Sequence, residues 1–163
     1  MMKPSTPSEP QGRPNDPAGS TPPWPIPEPA DVISYAYLWA REQDAGIEEG
    51  LKDRPVVVVV ARIVTDARTE LLVAPITHSE PVPGEGVRVP PPIKRSLGLD
   101  AEPSWIVTTE MNRFVWPGPD VRAVKSEDTP LHGAIPADLY ELARTEIVRN
   151  ARRDKVRMPK RSE

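Results

Sequence analysis

The chain contains no cysteine. That excludes disulfides and thiol chemistry, and it removes the usual ligands of structural zinc. His78 and His132 are the only histidines, too few for a histidine-rich metal centre. No apolar run approaches the roughly 20 residues needed to cross hydrocarbon. The most apolar stretch, five valines at 56–60, is short and bracketed by Arg54 and Arg62. The N-terminus has no apolar segment behind basic residues, so no secretory signal is expected and the cytoplasm is the expected compartment. A broad basic excess is also missing. Residues 28–136 hold 11 Lys/Arg against 17 Asp/Glu, whereas 137–163 hold 8 against 5. An acidic body argues against a protein that coats nucleic acid with one large face, but it allows a small positive cleft.

Proline, in contrast, is abundant, at 23 of 163 residues. Much of it lies in residues 1–29, a composition that buries too little apolar surface to offset ordering entropy, so a disordered leader is expected there. Trp24 is the leader's one large apolar residue and is read as a loosely ordered tail tryptophan. One domain over 30–153 and a basic, flexible tail over 154–163 complete the expected organisation. No internal repeat is present.

The valine run is the clearest local signal. β-branched side chains lose freedom in a helix and suit a pleated surface, so it reads as a strand. It is apolar at odd and even positions, which means both faces are covered. Pro55 cannot donate to a ladder and is expected at the first strand position, with Arg54 just outside. Other strands are expected at 31–39, 70–77 with a bulge or edge at Pro75, 87–89, and 104–112 continuing through 114–116. The polar connection 41–53, with a short helical turn from residue 40, is long for a hairpin, and long loops are often functional. A helical turn at 93–97 is closed by Gly98. A helix opened by Pro136 carries Leu139, Leu142, Ala143, Ile147 and Ala151 as its apolar stripe and ends near Arg153. Short strands, Pro/Gly turns and a closing helix predict a mainly β domain with some α, a small, curved, barrel-like sheet with helices packed on it.

Several of these stretches in order, Asp31-Val32-Ile33, Glu48-Glu49-Gly50, Arg54-Pro55-Val56-Val57-Val58, Ala74-Pro75-Ile76-Thr77 and Gly98-Leu99, carry a resemblance. Ser104-Trp105-Ile106-Val107 and Gly133-Ala134-Ile135-Pro136 extend it over roughly residues 30–150. The chain resembles the MazF/PemK (Kid) toxins of type II toxin–antitoxin systems. The resemblance implies a small SH3-like barrel of the CcdB/PemK type with a short helix and a C-terminal helix, and a homodimer. It also implies a sequence-selective endoribonuclease that cuts single-stranded RNA without metal or cofactor and is neutralised by a cognate antitoxin. The RNA 2′-hydroxyl would be the nucleophile, leaving the protein to stabilise charge on the phosphate and to manage proton transfers.

On this resemblance Arg54 falls on the family's catalytic arginine and Thr77 on its active-site threonine. Substrate binding falls to Lys52, Glu48, Glu49, His78, Glu110 and Asn112, with Lys52 and Arg113 adding positive charge beside Arg54. Alternatives stay open for several of them. His78 is either a base or a surface loop histidine, and Glu48 and Glu49 either orient Arg54 or are solvated loop acids. Glu110 is a base only if its strand position turns it to the cleft. Trp39, Trp105 and Trp116 either stack on bases or pack in the core and dimer interface. A different class of function fits the same fold: a non-catalytic toxin that binds a protein such as gyrase, or a degenerate binding module.

Overall fold

The structure is a computed structural model that describes residues 24–47, 50, 52–124, 128–159 and 161. The expectations for Glu48, Glu49 and residues 1–23 lie outside the described residues.

The valine strand is the centre of the sheet. β2 (Arg54–Ile63) lies between β1 (Asp31–Tyr35) and β3 (Thr69–Thr77), antiparallel to both. Alternate side chains of a strand face opposite ways. Val57 and Val59 enter one apolar cluster with Val32, Ala74 and Ile76, while Val56 and Val58 enter another with Ile33, Leu71 and Val73. Each face has its own core, which is why the run has no polar position. Arg54 is inside the strand, opposite Tyr35, and not just outside it. β1 continues alongside through Ser34 and Tyr35, so one missing donor at Pro55 does not end the ladder.

β1 itself ends at Tyr35, short of the expected residue 39. Residues 36–39 lead into α1 (Ala40–Asp44), where the expected helical turn forms. β4 (Gly86–Arg88) and α2 (Pro91–Ser96) follow, and Gly98 closes α2 at φ +69°, a left-handed conformation suited to glycine.

The late strand expected as one piece is broken in two. β5 (Trp105–Val107) pairs with Ile76 and Thr77, and β6 (Asn112–Val115) pairs with 70–73 of the same strand. Pro75 lies in the gap, where it has no N–H to offer a neighbour. The residues that loop out find other partners: Thr108 N–H donates to Glu85 O (3.0 Å) and Met111 N–H to Arg157 O (2.9 Å). The bulge expected near Pro75 is across the pair, at Val58–Val60 in β2.

β7 (Leu131–Ala134) pairs with β1, so His132 is in a strand and not in a loop. Its four residues include no β-branched side chain, which hid it in the sequence. The seven strands form one antiparallel sheet ordered β4-β5-β3-β2-β1-β7, with β6 also on β3. Among the described residues no ladder joins β7 back to β4, so the sheet is mainly β with three helices and is not closed.

α3 (Ala137–Arg152) closes the first core with Leu139, Ala143 and Ile147. Leu142 and Ala151, expected in that stripe, are exposed. Asn150 is buried instead, its Nδ2 donating to Gly84 O (3.1 Å) and Thr108 Oγ1 (3.0 Å). Within the stretch expected as a free tail, Arg157 N–H donates to Thr109 O and Arg161 N–H to Arg113 O, both 2.9 Å. Unpaired backbone groups on an edge strand attract such a segment, and the buried Arg161 guanidinium meets buried Asp120 at 2.8 Å. Trp24 is tied down as well, its indole N–H donating to Asp128 O (3.1 Å). No helix among the described residues is long and apolar enough to cross a membrane.

Candidate functional site

β2 and β3 pair Val58 with Val73, Val57 with Ala74 and Val56 with Pro75. Thr77 is opposite Trp105, and Trp105 opposite Arg88. Directly opposed residues share a face, so Thr77, Trp105 and Arg88 make one row across β3, β5 and β4. Arg54 and Thr77 line a cleft of about 360 Å³ together with Trp39, Arg41, Lys52 and His78.

Arg54 is partly buried, its guanidinium carbon 5.2 Å from the centre of the Trp39 ring, with Arg41 at 4.8 Å from the same indole. Such contacts hold a cation without neutralising it. Burial lowers the Arg54 pKa; the charge of Glu42 opposes this and that of Arg41 adds to it. A guanidinium begins so high that it stays charged. Among the described residues no carboxylate stands within ion-pair distance of Arg41, Lys52 or Arg54. Gly50, two residues before Lys52 and four before Arg54, stands close against the carbonyls of Ala36 and Tyr37 just before α1.

Thr77 is buried at the last position of β3. Its Oγ1 accepts from Ser79 N–H (3.1 Å), which fixes the hydroxyl while leaving its own proton to donate. His78 is exposed, with Nε2 2.9 Å from Asp100 and Nδ1 3.3 Å from Glu102. It also lines a second hollow of about 220 Å³ that shares Lys52 and Arg54 with the first and adds Lys94 and Asp100.

Lys94 was not expected from the sequence. Its buried ammonium donates to Asp100 Oδ1 (2.7 Å), Ser104 Oγ (2.6 Å) and the Glu102 carbonyl. The signal was present as a lysine in a Pro-capped turn followed closely by Asp100, Glu102 and Ser104. The hydrogen bond from Lys94 holds the Asp100 carboxyl below its usual range. His78, Asp100 and Glu102 bring ligand-type atoms within 4.8 Å of one another. Lys94 already occupies Asp100, and Arg54, Arg88 and Arg95 line the adjoining hollows, so the surroundings disfavour a dication.

Three expected site residues are not among those lining the cleft. Asn112 is fully buried and spends its amide on Leu38, accepting from its N–H and donating to its carbonyl at 2.8 Å each. Glu110 turns to α1, where Oε1 accepts from Tyr37 Oη and Ala40 N–H at 3.0 Å each. Burial raises its pKa, with those hydrogen bonds opposing. Glu110 lies in the break between β5 and β6, and Asn112 opens β6 opposite Val73. Arg113 turns to Glu70 at 4.0 Å and adds no charge beside Arg54. Trp39 forms part of the cleft wall while also packing edge-on against Tyr37, at 5.1 Å between ring centres.

No protein family, curated protein or solved structure matches this chain, so the chemistry of the cleft rests on its own residues.

Proposed function

We propose that this chain is a toxin-type endoribonuclease that cuts single-stranded RNA without a metal ion. The observation that carries the reading is that the unpaired Arg54 guanidinium, at the start of β2, and Thr77, at the end of the adjacent β3, line one cleft. A guanidinium can hold two phosphate oxygens at once, and the threonine can donate to a third. In the reaction the RNA 2′-oxygen bonds to phosphorus as the bond from phosphorus to the 5′-oxygen breaks. The products are a 2′,3′-cyclic phosphate and a free 5′-hydroxyl. The 2′-hydroxyl loses a proton and the leaving oxygen gains one. Arg54 and Thr77 stabilise the added negative charge where it develops.

On the same reading the bent sheet is an open version of an SH3-like barrel of the CcdB/PemK type. The working unit is a homodimer, and a cognate antitoxin silences it by occupying the cleft.

The test is to incubate purified wild type and Arg54→Ala with a long mixed-sequence RNA in the presence of chelator. Discrete fragments ending in cyclic phosphate are expected from wild type. Loss of about 10²-fold or more is expected in the variant, the scale for removing one charge-stabilising group. Intact RNA together with growth arrest on expression would point to a protein-binding toxin instead.

A further inference from the structure

Many cations among the described residues are matched. Arg62 meets Glu70, Arg122 meets Asp53, Arg157 meets Asp44 and Arg161 meets Asp120. Arg144 and Arg149 meet Glu141 and Glu146 on α3. Among the described residues Arg41, Lys52, Arg54, Arg88 and Arg95 have no such partner, and all five line hollows that run into one another. The Arg54–Thr77 cleft shares Lys52, Arg54 and His78 with the second hollow. The second shares Lys94, Leu99 and Asp100 with a third of about 240 Å³, lined by Arg88 and Arg95 between β4 and α2. The other unmatched cations, Arg152, Arg153 and Lys155, lie at the end of α3 and just beyond it.

Five free cations collected along one trench, on an otherwise acidic body, call for an extended anion. We infer that Arg88 and Arg95 form a second phosphate subsite, so that the ligand is a segment of single-stranded RNA with one phosphate at Arg54 and another between β4 and α2. This rests on the ribonuclease reading for the nature of the polymer. The strand register supports it, because Thr77, Trp105 and Arg88 are directly opposed across β3, β5 and β4, and Arg54 lines the cleft beside Thr77. The trench is also lined by four carboxylates: Asp53, which meets Arg122, Glu80 in the first cleft, Asp100 and Glu102. Asp100 is already held by Lys94, and Glu102 faces His78 and can accept from base N–H groups between the two phosphates.

Full-length wild type, Arg54→Ala, Arg88→Ala/Arg95→Ala and Arg88→Lys/Arg95→Lys are titrated with two uncleavable 2′-O-methyl RNA probes. One is a dinucleotide, the other an oligomer of about eight residues, near the footprint of a small single-strand binding fold. Binding is followed by fluorescence anisotropy from about 50 to 200 mM salt. Wild type should prefer the oligomer. The double alanine variant should lose that preference, binding the oligomer roughly tenfold less tightly, with a log–log salt slope shallower by about 1.4 for two lost phosphate contacts. The double lysine variant should keep the slope. Neither arginine has a side-chain partner to lose, so an unchanged melting temperature separates loss of the subsite from loss of fold. Equal oligomer affinity in wild type and the double alanine variant overturns the second subsite alone. Absence of oligomer binding by wild type overturns it together with the ribonuclease reading. Preference lost in the double alanine variant, with no cleavage of ordinary RNA by wild type, keeps the subsite and removes the nuclease.

Discussion

A guanidinium set over an indole keeps its charge but gives up much of its freedom, and Arg54 is held in this way by Trp39. Less of its motion is left to freeze when an anion arrives. Thr77 is constrained differently, through the bond from Ser79 N–H to its hydroxyl oxygen. Thr77→Ser keeps that acceptor and the donor proton, so cleavage should persist. Thr77→Val keeps the shape but removes both, and should slow cleavage about 10- to 100-fold while costing about 1 kcal/mol of stability. Equal single-turnover rates for the two variants would remove Thr77 from the chemistry.

Glu110 offers a pH test. Burial raises its pKa, so between the ordinary glutamate range and that raised value the folded state binds more protons than the unfolded one. Stability should therefore fall as pH rises through this window. Glu110→Gln keeps an acceptor for Tyr37 and Ala40 and should flatten that part of the profile. Melting temperatures across about pH 4 to 8 that run parallel in the two proteins would refute the assignment.

At the scale of the elements, Gly50 meets the chain just past the end of β1, shortly before two cleft cations, Lys52 and Arg54. A Cβ on Gly50 would fall inside contact distance of the Tyr37 and Ala36 carbonyl oxygens, and neither strand-end backbone can yield cheaply. Gly50→Ala should cost about 1–3 kcal/mol. By displacing Lys52 and Arg54 it should also lower cleavage, up to about 10²-fold. Calorimetry together with single-turnover assays measures both, and an active, fully stable variant would mean that the connection does not position the site. Strands whose residues carry strong β-propensity, above all 56–60, were legible in the sequence, as was α3 through its period. The split between β5 and β6 was not. It depends on Pro75 in a different strand, and no local pattern in 104–116 announces it. Neither Asn112 nor Glu110 lines the cleft, because Asn112 is spent on the Leu38 backbone from its place opposite Val73 and Glu110 is held by Tyr37 and Ala40 between the two strands.

At the scale of the molecule, composition promised loose ends, and the described chain ties them in. Arg161 and Asp120 form a buried ion pair far apart in sequence. Removing one partner leaves a charge with no counterpart, so Arg161→Ala should cost about 3–5 kcal/mol, seen as a melting temperature lower by roughly 10 °C. Asp120→Leu in the same background should recover part of the loss. An unchanged melting temperature for Arg161→Ala would show that the C-terminal segment does not brace the fold. Charge counting over the sequence could not reveal this, because the basic excess after residue 137 reads alike whether it is solvated or docked. The proposed site was more legible than its surroundings. Arg54 and Thr77 lie beside runs that fix their strands, whereas Lys94 acquires its role only when α2 folds back on residues 100–104.

The two cores separated by β2 have a practical consequence. Arg54, Val56 and Val58 share one side of the strand, and Val57 and Val59 meet α3 on the other. Repacking beneath α3, at Leu139, Ala143 or Ile147, can thus raise thermal tolerance behind a wall of valines that shields the Arg54 side from the change. The fold keeps its engineering room and its working room on opposite sides of a single strand.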